Sequence, residues 1–201
     1  MTWYATSLFQ HFADVDGKSR VVVPPVAKDG HVLIEARAFE AMGMAKVAWN
    51  ALASRVFIMP PCLAWPTGCR TFSSPFGWRV LDGKKQFHSG TDFPVAEGTE
   101  VVAALPGTVH IAGEDPEGFG QYLVIAHEGG LFTLYAHLSE ILTAAGKVEE
   151  GQPVARSGNT GRSTGPHLHF ALYATSARYP LLQGSVFNKE AAVDPWPFFK
   201  R

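Results

Sequence analysis

The segment Gly165-Pro166-His167-Leu168-His169-Phe170-Ala171-Leu172 constrains this chain more than any other stretch. Its alternation argues for a half-buried β-strand with Leu168, Phe170 and Leu172 facing a core. His167 and His169 must then share the opposite face, roughly 7 Å apart. Ahead of them, Ser157-Gly158-Asn159-Thr160-Gly161-Arg162-Ser163-Thr164 reads as a glycine-punctuated loop. Upstream, His88-Ser89-Gly90-Thr91-Asp92 and Tyr135-Ala136-His137-Leu138 add two histidines and a carboxylate. Donors this far apart in sequence meet only if the fold brings distant turns together, and imidazoles with a carboxylate are a donor set suited to one zinc ion.

Local geometry restricts how they can meet. In His88-x-x-x-Asp92 a helix is disfavoured by Gly90, Thr91 and the following Phe93-Pro94, while a straight strand would hold the two ends about 13 Å apart. A bend at Ser89-Gly90 is required, and glycine permits it. Two imidazoles on one face of an unbent strand do not both bind one ion, so one binds while the other stands beside it. With His169 as the binder, the ligands are His88, Asp92 and His169. The fourth tetrahedral position is left to water, as in catalytic zinc sites. His137 closes a strand in which Leu131, Thr133 and Tyr135 share its face by period two. His110 and His127 have no partner pattern and read as structural, and His11 and His31 lie outside this domain.

A chain of 201 residues that is 46% hydrophobic can bury one sizeable core with a small satellite domain. Its 20 Gly and 14 Pro punctuate it into short segments, which predicts a mainly β protein. Strands are expected over 101–103, 108–111, 122–127 and 131–137 in an antiparallel sheet, with turns at Pro106-Gly107 and Gly129-Gly130. Residues 1–18 read as an N-terminal arm and 19–62 as a small α+β domain. In the latter, Arg20-Val21-Val22-Val23 and His31-Val32-Leu33-Ile34 form a hairpin through Lys28-Asp29-Gly30, and a helix over 36–42 ends at Gly43. Short strands follow at 47–49 and 55–58. Pro60-Pro61 and Trp65-Pro66-Thr67-Gly68 predict a linker over 63–72 before a chemical domain over 73–201. Cys62 and Cys69 either close a small loop as a disulfide or remain thiols, as the compartment dictates.

The formal net charge is -1 and no Lys/Arg run exceeds two residues, which argues against nucleic acid or anionic lipid as partners. No run of eighteen apolar residues occurs, so no transmembrane helix is expected. The start lacks a basic leader, and Asp14 and Asp16 interrupt the first apolar stretch, which does not look like a secretory signal.

The stretch from Ser73 to Tyr173 resembles the M23 metallopeptidases, the lysostaphin-like and LytM-type endopeptidases. The residues that carry the resemblance are Ser74-Pro75-Phe76-Gly77-Trp78-Arg79, His88-Ser89-Gly90-Thr91-Asp92-Phe93, Gly98-Thr99, Gly107-Thr108-Val109, Tyr135-Ala136-His137-Leu138, Gly151-Gln152 and the run from Gly158-Asn159-Thr160-Gly161 to His167-Leu168-His169-Phe170. The resemblance implies an antiparallel β-sheet metallopeptidase domain with Zn2+ on His88, Asp92 and His169. It also implies two unbound catalytic histidines, His137 and His167. His167 is the candidate general base on a zinc-activated water, and His137 the candidate for holding the carbonyl oxygen or oxyanion. The implied substrate is a peptide cross-link or stem peptide of bacterial peptidoglycan, which places the protein outside the cytoplasm or at the cell wall, by a phage-associated or another export route. The alternative is a non-catalytic cell-wall-binding or hydrolase-activating module, which the intact donor set disfavours. Separately, Asp29-Gly30-His31-Val32-Leu33-Ile34-Glu35-Ala36-Arg37, Met42-Gly43 and Val47-Ala48-Trp49-Asn50 resemble the copper amine oxidase N-terminal-like stalk domain, a module appended to exported bacterial proteins.

Overall fold

The computed structural model describes residues 62–200 except Asp82, Arg178 and Tyr179, together with three strands nearer the N-terminus. Those strands, β1 (Val21–Val23), β2 (Lys46–Asn50) and β3 (Arg55–Met59), form an antiparallel sheet in the order β1-β3-β2. The expected strands at 20–23, 47–49 and 55–58 are present. The arm over 1–18, the turn at 28–30, the strand at 31–34 and the helix over 36–42 lie outside the described residues.

The rest is built almost wholly of antiparallel strands, as its alternating patterns and frequent glycines predict. A hairpin of β4 (Gly77–Leu81) and β5 (Lys84–His88) leads into β6 (Thr91–Phe93). Then come β7 (Glu100–Val102), β8 (Gly107–Asp115), β9 (Gly120–His127), β10 (Leu131–Ile141), β11 (Lys147–Val148), β12 (Pro153–Ser157) and β13 (Leu168–Ala174). Short pieces β14 (Leu182–Gln183), β15 (Val186–Phe187) and β16 (Ala192–Val193) finish the chain. Nine of these strands form one sheet, with β11-β8-β9-β10-β12-β7 as its main path and β13, β6 and β16 branching from β10. The Gly129-Gly130 turn sets Leu131 opposite His127, so the two longest neighbours are aligned as their sequences predict.

Both faces of the sheet are covered at its centre, and every residue of β13 is buried. On one face Leu168, Phe170 and Leu172 pack with Phe93, Leu123, Ile125 and Tyr135; on the other Ala171 and Tyr173 pack with Val124, Leu134 and Ala136. Full burial of one such large apolar side chain contributes about 2 kcal/mol, so the alternation read in 168–172 is also what anchors the strand. Residues 62–65, at the start of the expected linker, are packed against this core. Leu63 is fully buried and bridges Phe199, while Trp65 stacks on Phe199 at 4.5 Å and donates its indole N–H to the Lys200 carbonyl at 2.7 Å. No disulfide joins Cys62 to Cys69, and the Cys69 thiol donates to the Thr71 carbonyl at 3.3 Å. No helix among the described residues is long and apolar enough to cross a membrane.

One feature of the sheet positions the chemistry. The edge of β10 that faces away from β9 is divided between two partners: residues 131–136 pair with β13, and residues 138–141 pair with β12. His137 stands at that fork, and the pairing of β10 with β9 also jumps between Tyr135 and Leu138.

Candidate metal centre

Backbone pairing delivers the three expected ligands to one place. Asp92 of β6 lies directly opposite His169 of β13, so their side chains project from the same face of neighbouring strands. His88 ends β5, and the chain bends at Gly90 before β6 begins, as the four-residue spacing demands. His88 Nε2 lies 3.1 Å from Asp92 Oδ1 and 3.0 Å from His169 Nδ1, and His169 Nδ1 lies 2.8 Å from Asp92 Oδ1. All three residues are buried, and among the described residues they are the one such cluster of potential ligands.

Hydrogen bonds around the triangle decide which atoms face its centre. A carbonyl can only accept, so the 2.8 Å contact between His88 Nδ1 and the Pro75 carbonyl puts the proton on Nδ1 and leaves an Nε2 lone pair facing inward. Asp92 presents Oδ1 inward, while Arg79 Nη1 donates to its Oδ2 at 3.3 Å and to Ser74 Oγ at 2.5 Å. Burial opposes ionisation of Asp92, but its contacts with His169 and His88 overrule it and hold the carboxyl far below the usual carboxylate range. Burial lowers His169 to about 4 despite its contact with Asp92, so this imidazole is neutral at neutral pH.

Two lone pairs and a carboxylate oxygen thus crowd within 3.1 Å with at most one proton among them. That arrangement calls for a shared cation. Ligand atoms about 2.1 Å from a tetrahedral zinc lie about 3.4 Å apart, so the triangle needs to open by only a few tenths of an ångström. The N, N, O donor set fits zinc.

The His169 ring is held by packing. Its Nε2 is buried without a hydrogen-bond partner, Phe119 lies beside the ring at 5.6 Å, and Gly90 abuts the ring itself. A Cβ at Gly90 would meet His169 Nε2 at 2.7 Å and press on the Phe170 carbonyl. Gly90→Ala is therefore expected to lower zinc affinity about 10- to 100-fold, the usual cost of disturbing a ligand's support, as measured by competition with a chromogenic chelator. The buried neutral His169 also makes stability pH-dependent. The unfolded chain takes up this proton near pH 6.5 and the folded, metal-free protein only near pH 4, so stability falls as pH drops through that window. The loss is about 3 kcal/mol, readable in denaturant midpoints of chelator-treated protein at pH 7 and pH 4.

The two remaining histidines join the cluster from its open side. His137 and His167 have ring centroids 4.6 Å apart, and His167 Nε2 stands 3.8 Å from Asp92 Oδ1. His167 is the most exposed of the group. His137 Nδ1 donates to the Thr160 carbonyl and His167 Nδ1 to the Gly165 carbonyl, each at 2.8 Å. Each ring is left with Nε2 as its available nitrogen. Burial lowers the pKa of His137.

His137 does not share a face with Leu131, Thr133 and Tyr135, as period two predicts. Tyr135 points into the core, where its hydroxyl accepts from the Ala104 N–H at 2.8 Å. At His137 the backbone turns to φ 59°, a left-handed conformation uncommon outside glycine, and the side chain comes out beside His169. A straight strand would have buried this imidazole next to Tyr135. His127 is structural, bridging the Pro106 carbonyl and Thr133 Oγ1 at 2.8 Å each, and His110 lies exposed beside Phe132. Sequence reasoning missed Arg79 and Ser74 as supports of Asp92. Their only signal was their place in the Ser74-to-Arg79 motif.

Residues 86–193 match the family model for peptidase family M23. The chain is similar to the peptidoglycan DD-endopeptidase ShyA of Vibrio cholerae serotype O1, with 48% identity over 113 residues, a match covering 52% of this chain and 26% of that protein. Among solved structures it is similar to a zinc-containing peptidase from Vibrio cholerae, at a TM-score of 0.56 and 31% identity, covering 75% of this chain and 46% of the other. It is also similar to the catalytic domain of lysostaphin from Staphylococcus simulans, at a TM-score of 0.51 and 32% identity, covering 64% and 88%. The chain spans about a quarter of the length of the curated relatives it matches.

Proposed function

This chain belongs to peptidase family M23, and on that premise we propose that it is a zinc-dependent endopeptidase that hydrolyses peptide cross-links or stem peptides of bacterial peptidoglycan. The observation that carries the proposal is the convergence of His88 Nε2, Asp92 Oδ1 and His169 Nδ1 within 3.1 Å, flanked by two imidazoles that each offer Nε2. The substrate class follows the named activity of the Vibrio cholerae relative.

Zinc bound by His88, Asp92 and His169 would polarise the scissile carbonyl and acidify the attacking water. His167 Nε2, on the more exposed of the two rings, accepts the proton of that water as its oxygen adds to the carbonyl carbon. The same proton is then handed to the departing amine as the C–N bond breaks, which returns His167 to its neutral form. His137 Nε2 donates to the oxyanion only once that ring is protonated, a form its burial disfavours and the developing negative charge favours. Arg79, through Oδ2, holds Asp92 ionised and oriented. Residues 73–201 are the catalytic unit in this reading, residues 19–62 an appended stalk-like module, and the site of action is extracytoplasmic.

Mass spectrometry of fragments released from purified murein sacculi tests the function. The expected result is a set of fragments with new peptide amino and carboxyl ends whose glycan strands are intact, formed only with zinc present. Sacculi left whole by the zinc-loaded protein, or cut only in the glycan, would overturn it.

A further inference from the structure

We propose that Thr160 is a positioning residue whose side-chain hydroxyl bridges the gap in the β9–β10 pairing beside His137 and thereby turns His137 onto the metal face. The inference rests on the proposed function only in assigning His137 a role in hydrolysis. Gln121 and Leu138 face each other across β9 and β10, immediately beyond the point where their pairing jumps. Their backbone groups are bridged through Thr160: the Gln121 N–H donates to Thr160 Oγ1 at 3.0 Å, and that hydroxyl donates to the Leu138 carbonyl at 2.8 Å. One oxygen atom from the loop between β12 and β13 thus takes the place of a ladder hydrogen bond that the distorted strands do not make directly.

The same residue acts on the imidazole. The Thr160 carbonyl accepts from His137 Nδ1 at 2.8 Å, which fixes the tautomer, while the His137 N–H is held by the Phe119 carbonyl at 2.8 Å. A non-glycine residue in the left-handed conformation inside a strand is strained and persists only when its surroundings over-determine it. Thr160 and Phe119 supply that constraint, one at the ring nitrogen and the other at the backbone N–H.

The loop is seated to make this possible. Gly120 (φ 62°) and Gly161 (φ 69°) meet backbone to backbone, so a Cβ on Gly120 would strike Thr160 and one on Gly161 would strike Gly120. The Arg162 N–H donates to the Gly118 carbonyl at 2.9 Å, which pins the loop on its far side. The hydrogen bonds of Thr160 reach Gln121, Leu138 and His137 and none of the three ligands, so Thr160 governs His137, whereas Phe119 also lies beside the His169 ring.

The test compares Thr160→Val, which keeps the shape and loses the hydroxyl, with Thr160→Ser, which restores it. His137→Ala is the reference. Three readouts are taken on the zinc-loaded full chain: dye release from labelled sacculi, zinc affinity by chelator competition, and the ring-nitrogen NMR shifts of His137, which report its tautomer. Thr160→Val is expected to lose about a hundredfold in rate, the order of effect that misplacing a catalytic group produces. Its zinc affinity should be unchanged and the Nδ1–H signature of His137 lost, with Thr160→Ser recovering both rate and signature. If Thr160→Val does not fold, Thr160→Ala carries the same comparison without added bulk. A Val variant with wild-type rate and tautomer, or one that loses zinc in step with rate, overturns the proposal. A fully active His137→Ala would overturn the role given to His137 instead, and the tautomer measurement would still decide what Thr160 does.

Discussion

Asp92→Ala is expected to strip the protein of both its metal and its hydrolytic activity, whereas His167→Ala abolishes hydrolysis and keeps the metal. Asp92 Oδ1 is the common neighbour of His88 Nε2 and His169 Nδ1, and Oδ2 is the acceptor that faces Arg79. Removing it leaves two imidazoles beside a guanidinium that has lost its carboxylate, a positive field where a cation must bind. Disturbing a ligand's support alone costs up to about a hundredfold in affinity, so loss of the ligand costs more. His88→Ala belongs with Asp92→Ala. His167 is placed differently: its Nε2 is 3.8 Å from Asp92 Oδ1, outside the triangle, and its Nδ1 is anchored to the Gly165 carbonyl. Its loss should cost the roughly 10²- to 10⁴-fold attributable to a general base. Zinc content by atomic emission, read beside dye release from labelled sacculi, separates the two classes. Equal metal loss in Asp92→Ala, His88→Ala and His167→Ala would show that ligand and base have been exchanged.

Much of this site is visible in the sequence because its spacing leaves few alternatives. The bend at Ser89-Gly90 follows from four residues that can be neither helix nor straight strand, and the common face of His167 and His169 follows from alternation with buried Leu168, Phe170 and Leu172. Period two fails at His137 because it assumes an unbroken ladder. The break is imposed by two partners meeting on one edge of β10, a long-range event that residues 131–137 do not record. Arg79 was invisible for a related reason: its partner Asp92 is reached across the turn from the β4–β5 hairpin into β6, and nothing in a lone arginine names the carboxylate it will meet. No regular strand or helix covers 63–72, although Leu63 makes an isolated bridge to Phe199. Composition could not reveal that Leu63 and Trp65 dock on Phe199, since that contact joins residues far apart in the sequence.

Removing the metal should cost stability as well as activity, because the triangle is unfavourable without a cation. His88 Nε2, Asp92 Oδ1 and His169 Nδ1 are drawn from the end of β5, from β6 and from the middle of the sheet, so an ion shared among them ties the hairpin segment to the core. The unfolded chain has no such site, and zinc at a thousandfold excess over its Kd stabilises the fold by about 4 kcal/mol. For a chain of this size each kcal/mol moves Tm by about 2–4 °C, which gives an expected rise of about 8–16 °C between chelator-treated and zinc-restored protein. Hydrolysis of sacculi should disappear and return over the same titration, which saturates at a single zinc per chain. The two curves must begin to rise at the same zinc concentration, since the ligands that bind the ion are the ones that hold β6 against β13. Activity levels once the site is full, while Tm climbs with the logarithm of free zinc. A Tm indifferent to chelation would mean that the three donors are satisfied by protons alone, and activity surviving thorough chelation would leave His167 without an acidified water to deprotonate.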